Sequence, residues 1–284
     1  MPESAIELRA MLEEGTNTLR RAGLAEPRRQ ALRIWSDLNQ SSGAEALLGA
    51  AGTIQPNAAG RYRDSIHRRS AGEPLAHVTG WTGFRHLVIR SDRRALIPRP
   101  ETEGLVDLLL ERQRTGRVAD IGTGTGCIAL SLALEGRFER IVGLDRSAEA
   151  LSLADTNRRL TGARVELMRA DFCSALRDQS FDALISNPPY LTRDEYHRLD
   201  PAVRSWEPEM ALVSGEDGLE ATARLLEEGR RVLRPGGWLM VEVDCTRARA
   251  AARLASALGW VDTSVHTDLF DRERYLLARR SNRS

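Results

Sequence analysis

The tetrapeptide Asn187-Pro188-Pro189-Tyr190 closes the apolar run FDALIS at Phe181–Ser186. Two consecutive prolines fix the backbone and remove two N–H donors. The side-chain oxygen of Asn187 and the carbonyl of Pro188 are then free to point at one spot. Two acceptors at one spot suit a planar NH2 group held through both hydrogens, and Tyr190 is placed to pack against the plane that carries it. The plain alternative is a rigid turn that ends a strand. A second cluster is Asp120-Ile121-Gly122-Thr123-Gly124-Thr125-Gly126. Glycine at every second position lets the backbone turn tightly and approach a ligand closely. The dinucleotide fingerprint is GxGxxG, but here the third glycine comes one residue early and Cys127 stands in its place. That argues against a nicotinamide dehydrogenase and leaves open a nucleotide-like ligand or a simple strand-to-helix turn. Asp145 lies 19 residues past Gly126. A carboxylate at about that distance can accept hydrogen bonds from both hydroxyls of a ribose, and it can equally cap the helix that begins near Ala148. Asp171-Phe172 adds an acceptor for an exocyclic amine and a ring able to stack on a base, or a core aromatic.

These clusters need elements to hold them. From about residue 98 apolar strands alternate with helical patterns: Val118–Ile121, helix Cys127–Leu134, Ile141–Asp145, helix Ala148–Leu160, Val165–Met168, Phe181–Ser186, helix Leu219–Val232, Trp238–Val243, helix Thr246–Leu258, and two last strands near Val261–His266 and Tyr275–Ala278. Such alternation predicts an α/β fold, a mostly parallel seven-stranded sheet covered on both faces by helices. In these sheets a ligand sits beyond the carboxyl ends of the strands, where all four clusters fall. Residues 1–75 read as an all-helical domain without strands. One helix is capped by Ser4, carries Ile6, Leu8, Met11 and Leu12, and ends at Gly15. A second segment carries Leu19 and Leu24. A third helix follows Pro27, a short one covers Ala44–Leu48, and another opens at Pro56 with Tyr62 and Ile66 on one face. Its Arg61, Arg63, Arg68 and Arg69 read as a solvated face or as a docking surface. Residues 76–97, with the alternating WTGFRHLVIR, predict a β-hairpin linker.

Composition narrows the chemistry. The 284 residues allow one large domain or two ordinary ones, and 42% hydrophobic with 29% charged residues is globular composition. Lys+Arg 41 against Asp+Glu 40 leaves a net charge of +1, without the basic excess of a general nucleic-acid binder. Every one of the 41 cations is arginine. This excludes a lysine Schiff base, a P-loop lysine and a kinase strand lysine. Cys127, Cys173 and Cys245 are too far apart for a zinc site or a disulfide framework. The N-terminus has no basic-then-apolar signal, and no apolar run approaches the ~18 residues of a membrane span. The expectation is a cytoplasmic protein with no metal and no membrane association.

The glycine loop, Asp145 and the NPPY tetrapeptide resemble S-adenosylmethionine-dependent methyltransferases that act on NH2 nitrogens. Within that class the chain resembles the HemK/PrmC family of release factor glutamine methyltransferases. The likeness includes Gly72-Glu73-Pro74-Leu75, Ile97-Pro98-Arg99-Pro100-Glu101-Thr102-Glu103, Glu207-Pro208, Ala211-Leu212 and Gly215-Glu216-Asp217-Gly218-Leu219. It implies a Rossmann-like class I methyltransferase domain over residues 98–284, and a substrate-docking domain over 1–75. The cofactor would be S-adenosylmethionine, and the substrate the glutamine of the Gly-Gly-Gln motif in class-one release factors. It also implies roles. Gly122, Thr123, Gly124, Thr125 and Gly126 surround the cofactor, Asp145 binds its ribose and Phe172 lies beside its adenine. Asn187, Pro188, Pro189 and Tyr190 take the substrate amide, with Asn187, Pro188 and Tyr190 as the catalytic set and Asn187 also beside the cofactor. Arg99, Glu101 and Thr102 sit close by. A monomer with no direct nucleic-acid contact follows. The alternative reading is a nucleic-acid adenine amino-methyltransferase, which uses a similar tetrapeptide. One stretch departs from the family pattern: Asp244-Cys245-Thr246-Arg247 stands where glycine and then glutamine are usual. It bears on pocket edges or on helix capping.

Overall fold

A computed structural model describes residues 6–39 and 53–282. The chain divides into two compact units, one of residues up to Trp81 with Asp200–Trp206, the other of Thr82–Leu199 and Glu207 onward.

The first unit contains helices α1 (Leu8–Arg21), α2 (Pro27–Asn39), α3 (Pro56–Ser70), α4 (Leu75–Thr79) and, from later in the chain, α9 (Pro201–Trp206). Leu8, Met11 and Leu19 of α1 meet Ile34 and Trp35 of α2 and Tyr62 and Ile66 of α3 in one apolar core. Trp35 and Tyr62 pack edge-to-face, ring centroids 5.9 Å apart. The expected stop at Gly15 is not observed, because α1 runs straight through it to Arg21. A Cβ at Gly15 would collide with the Tyr62 ring, so the glycine serves a close helix–helix approach instead of a terminus. Ile6 is not helical either. It forms strand β1 (Ile6–Glu7), paired antiparallel with β2 (Thr53–Ile54), two strands too short for any alternation to reveal. Ser4 and the short helix expected at 44–48 lie outside the described residues. Three of the four α3 arginines have carboxylate, amide or carbonyl partners, Arg63 through an exposed pair with Glu14 at 3.5 Å. Arg68 Nε donates to the buried Glu73 carboxylate at 2.8 Å. Arg69 reaches the Glu73 carbonyl at 2.9 Å and Gln30 Oε1 at 2.7 Å. Arg61 and Arg63 are exposed, which fits a solvated face and a docking surface alike.

The second unit opens with the expected hairpin, β3 (Trp81–Phe84) and β4 (Leu87–Arg90). Then comes a helix missing from the strand–helix alternation read above, α5 (Pro100–Arg112). Its signals are ordinary. Pro100 stands in the first turn beside Glu101 and Glu103, where a fixed φ and negative charge both favour a helix start. Leu105, Val106, Leu109 and Leu110 are its buried stripe. The sheet contains β5 (Arg117–Ile121), β6 (Arg140–Asp145), β7 (Glu166–Arg169), β8 (Phe181–Ser186), β9 (Leu233–Glu242), β10 (Val261–Thr267) and β11 (Glu273–Arg279), in the order β10-β11-β9-β8-β5-β6-β7. The five strands from β9 to β7 are parallel, and β11 and β10 run antiparallel at one end. Strand β9 begins five residues earlier than its apolar run. The pairing with β8 jumps from Phe181↔Leu233 to Ala183↔Trp238, a bulge that absorbs Pro235-Gly236-Gly237.

Helices α6 (Cys127–Glu135), α7 (Ala148–Thr161), α8 (Arg193–Arg198), α10 (Glu220–Val232) and α11 (Ala248–Ala257) follow the strands. Two buried clusters hold them, one built on Leu105, Ile128 and Leu132, the other on Leu225, Ala251 and Trp260. Two-pronged arginine–carboxylate pairs tie neighbours at the surface. Arg85 grips Glu135 through Nε (2.8 Å) and Nη2 (2.7 Å). Arg140 of β6 grips Glu166 of β7, and Arg249 of α11 grips Glu273 of β11.

Asn157 of α7 is fully buried and tethers the hairpin to the sheet. Its Oδ1 accepts from Arg90 N at 2.7 Å, and its Nδ2 donates to Arg90 O at 3.1 Å and to Thr125 O at 2.9 Å. Asn157→Ala strands those backbone groups, at about 1–3 kcal/mol for each group left unsatisfied. A loss of about 3 kcal/mol or more in urea unfolding is expected. A change under 0.5 kcal/mol would show that water replaces the side chain.

Candidate active site

Strand β5 is flanked by β6 and β8, so its carboxyl end marks the point where strand order reverses and a crevice opens. Asp120, fully buried near that end, holds the glycine loop. Its Oδ2 accepts from Thr123 Oγ1 at 2.6 Å and from Ala129 N of α6 at 3.2 Å. Burial pushes its carboxyl up to about 7, against the pull of those two donors. Gly122, Gly124 and Gly126 all take positive φ (74°, 56° and 85°), the left-handed conformation that only glycine adopts without strain. Gly122 N and Thr123 N both donate to Leu144 O at 2.8 Å, which pins the loop to β6.

At the end of β6, Asp145 faces the loop. Its Oδ2 accepts from Gly124 N at 3.0 Å and its Oδ1 from Ser147 N at 2.9 Å. Burial raises its pKa, and the backbone donors oppose the rise. The helix cap is Ser147, whose Oγ accepts from Ala150 N at 3.1 Å, so Asp145 is not the cap. Each carboxylate oxygen keeps a further lone pair. After β7, Asp171 Oδ2 accepts from Arg224 Nη1 at 2.6 Å. The same guanidinium lies 4.4 Å from the centroid of the Phe172 ring, a cation–π arrangement that covers one ring face.

After β8, Ser186 Oγ donates to Ile121 O at 2.7 Å and ties the two strand ends together. Asn187 Nδ2 donates to Thr102 Oγ1 at 3.0 Å, and Thr102 Oγ1 donates to Glu242 Oε2 at 2.7 Å. Burial pushes Glu242 up to about 7, against Thr102 and the charge of Arg274. The segment before α5 is fixed by Glu207, whose carboxylate accepts from Ile97 N at 3.1 Å and Arg99 Nη2 at 2.6 Å.

These groups line a cleft that opens to solvent beyond the carboxyl ends of the strands, the place where sheets of this kind take a ligand. Its wall brings together Gly122, Thr123, Gly124, Thr125, Asp145, Phe172, Asn187, Pro188 and Pro189, with Arg99 and Thr102. Gly126 and Tyr190 are not on that wall. Gly126 is the left-handed residue that starts α6. The Tyr190 hydroxyl is pushed up to about 12 by burial and feels the charges of Glu242, Arg274 and Arg99. Glu101 also stays outside, paired with Arg272 at 3.1 Å. The cleft further takes in Ala95, Leu96, Ser147 and Met210, which carried no sequence signal. The thiol of Cys127, on the wall, is pushed up to about 12 by burial, and all three cysteines are unpaired. Residues 244–247 do not line the cleft. Asp244 Oδ1 accepts from Thr246 N at 2.9 Å, and Arg247 Nη2 grips Glu195 of α8 at 2.7–2.8 Å. The departure from the family pattern is thus a turn and a brace, and no side chain of it caps the helix that follows.

Comparison with known proteins identifies the family. Residues 101–199 match the "Methyltransferase small domain" family model and residues 10–80 the "PrmC N-terminal domain" model. A protein of Deinococcus radiodurans named "Release factor glutamine methyltransferase" is 39% identical over 282 residues, covering 97% of this chain and 99% of its own. The chain belongs to the release factor glutamine methyltransferase family. A relative of the same name from Moorella thermoacetica is 38% identical over 96% of this chain and 98% of its own. A solved methyltransferase of Pyrococcus furiosus superposes with a TM-score of 0.53 at 18% identity, covering 77% of this chain and 98% of its own. That likeness shows the fold, a Rossmann-like class I methyltransferase. Among the described residues no helix is long and apolar enough to cross a membrane.

In this member of the family the elevated Asp120 has a readable signature. A carboxyl near 7 when folded and near 4 when unfolded keeps its proton only in the folded state between those values. Stability from this group is therefore full below pH ~4 and lost as pH rises through 7, with a slope of at most about 1.4 kcal/mol per pH unit. Asp120→Asn preserves the Oδ2 acceptor and removes the titration. Between pH 5 and pH 8 the variant should lose less stability than the parent in denaturant unfolding. Parallel pH curves would show that Asp120 is ionised throughout.

Proposed function

We propose that the chain transfers a methyl group from S-adenosylmethionine to the side-chain amide nitrogen of the glutamine in the Gly-Gly-Gln motif of class-one peptide chain release factors. The observation that carries the reading is the position of Asn187-Pro188. The pair sits on the wall of the same cleft as the glycine loop and the Asp145 carboxylate, in a chain whose relatives carry that activity in their names. The donor set fits the cofactor. Asp145 has acceptor capacity for two vicinal hydroxyls after its two backbone bonds. The turn Gly122–Gly126 offers backbone at close approach, Asp171 suits an adenine amine, and Phe172 an adenine ring. When bound, the cofactor supplies a methyl group on a positively charged sulfur, with neutral S-adenosylhomocysteine as the product left behind.

The chain's own residues must solve a nucleophile problem. An amide nitrogen is weak because its lone pair is delocalised into the carbonyl. Asn187 Oδ1 and the Pro188 carbonyl accept from its two N–H groups, raise electron density at nitrogen and aim it, while Tyr190, off the cleft wall, holds the end of the turn through its N–H to Leu212 O at 3.2 Å. Positioning of this kind can supply about 7–11 kcal/mol. The nitrogen sheds one proton after transfer, to water. The helices of residues 1–75 act as the docking surface for the release factor, residues 76–97 as the linker and residues 98–284 as the catalytic domain. The protein works as a monomer in the cytoplasm without direct nucleic-acid contact. The adenine amino-methyltransferase alternative is not favoured, with a net charge of +1 and relatives named for another substrate.

Peptide mass spectrometry of a class-one release factor after incubation with the protein and S-adenosylmethionine tests the reading. One added methyl on the Gly-Gly-Gln glutamine is expected. An unmodified factor, with cofactor binding confirmed in the same sample, refutes the substrate. Asn187→Ala should lower kcat by about 10²–10³-fold, the scale of one lost preorganised hydrogen-bonding group, and leave cofactor Kd within about 3-fold. Equal losses in both would contradict this division of roles.

A further inference from the structure

An asparagine amide is nearly symmetric in shape, and its two ends are opposite in hydrogen-bonding sense. Rotating Asn187 by half a turn about its last bond would present NH2 where the proposed reaction needs an oxygen. Something must distinguish the two orientations. We propose that Thr102 and Glu242 are positioning residues that set the direction of the Asn187 amide, so that its oxygen faces the cleft. The inference rests on the reading of Asn187 given above.

The chain of bonds has a fixed sense. Glu242, ionised, is an acceptor only. Thr102 has a single hydroxyl hydrogen, and it goes to Glu242 Oε2 at 2.7 Å. The Thr102 oxygen then has only lone pairs for Asn187, which must offer its Nδ2, observed at 3.0 Å. Thr102 is 2% exposed and Glu242 1% exposed, so water does not compete for either bond. The three residues come from α5, the end of β9 and the turn after β8, 85 and 140 positions apart in sequence. Neither Thr102 nor Glu242 needs to touch substrate to act this way.

Protonation of Glu242 would let the chain run in either sense, because a carboxylic acid can donate to Thr102 as well as accept from it. The charged and titratable groups facing Glu242 are Arg274, Glu101, Asp268, Tyr190, Tyr275 and Cys127. Burial is the first influence, and Arg274 alone among these pulls the carboxyl down. The directing effect is therefore strongest above pH 7 and fades on acidification.

Glu242→Gln is an isosteric copy of the protonated state. Its kcat at pH 8 should fall about 10–100-fold, as misplacement of a catalytic group does, to the value the parent shows near pH 5.5. The fall between pH 8 and pH 5.5 should be smaller in the variant than in the parent, where Asp120 is the same in both. Thr102→Val should show a similar fall with cofactor Kd unchanged, and Thr102→Ser should restore most of the rate. A second readout needs neither cofactor nor substrate. In the free protein the 15N-labelled Asn187 NH2 pair should be protected from solvent exchange, and the protection should be lost in Thr102→Val. Unchanged kcat and protection in both variants would overturn the proposal. So would a loss of cofactor affinity that matches the loss of rate. If Thr102→Val does not fold, Glu242→Gln decides. A parent enzyme that leaves release factor unmodified refutes the substrate reading instead, and the exchange measurement still decides the relay.

Discussion

Strand β5 pairs in parallel with β6 on one side and β8 on the other, and the cleft depends on that double pairing. Asp120 lies opposite Gly143 of β6 and Ile185 of β8. With that register, the ends of the three strands release the glycine loop, Asp145 and Asn187 along one edge. A slip of one residue would turn each strand's side chains to the opposite face and dissolve the constellation. Ser186, bonded to Ile121 O, and the two amides bonded to Leu144 O hold the three ends in step.

Carboxylates, more than apolar packing, shape the loops beyond those ends. They fall into two kinds. Glu207 and Asp268 are satisfied by arginine. Burial works against Asp268, yet the backbone N–H groups of Arg272 and Phe270 and the Arg274 guanidinium bring it down to about 2. Asp120 and Glu242 have only hydroxyl or backbone donors within reach and are pushed up to about 7. The first kind braces the loops through charge-assisted bonds to arginine. The second kind sits where a proton changes the hydrogen-bonding sense, beside the loop and beside Asn187.

Much of this was legible in the sequence because it depends on local backbone chemistry. The glycine turn, the acidic residue at the end of β6 and the double proline after β8 announce themselves within a few residues, and the strand–helix alternation sets their relation. What was not legible depends on distant partners. Thr102 and Glu242 meet 140 positions apart, and Glu207 reaches back to Ile97 and Arg99; neither spacing has a motif. Gly15 was misread because a glycine required by a neighbouring ring looks, in sequence, like one that ends a helix. Arg68 and Arg69 looked solvated because the buried Glu73 they hold sits in a turn outside the helix. Helix α5 carries its start signals in Pro100, Glu101 and Glu103, within a proline-rich stretch that interrupts the strand–helix alternation.

The two-pronged arginine pairs have a consequence beyond bracing. A guanidinium fork can grip both oxygens of a carboxylate, which an ammonium cannot, and the pairs Arg85–Glu135, Arg140–Glu166 and Arg249–Glu273 use that fork. With all 41 cations of this type, no side chain carries a primary amine. Lysine acetylation, isopeptide-linked ubiquitin and amine-directed cross-linking therefore find no side chain to act on. Any such mark detected on a complex of this protein with a partner must lie on the partner or at a chain terminus.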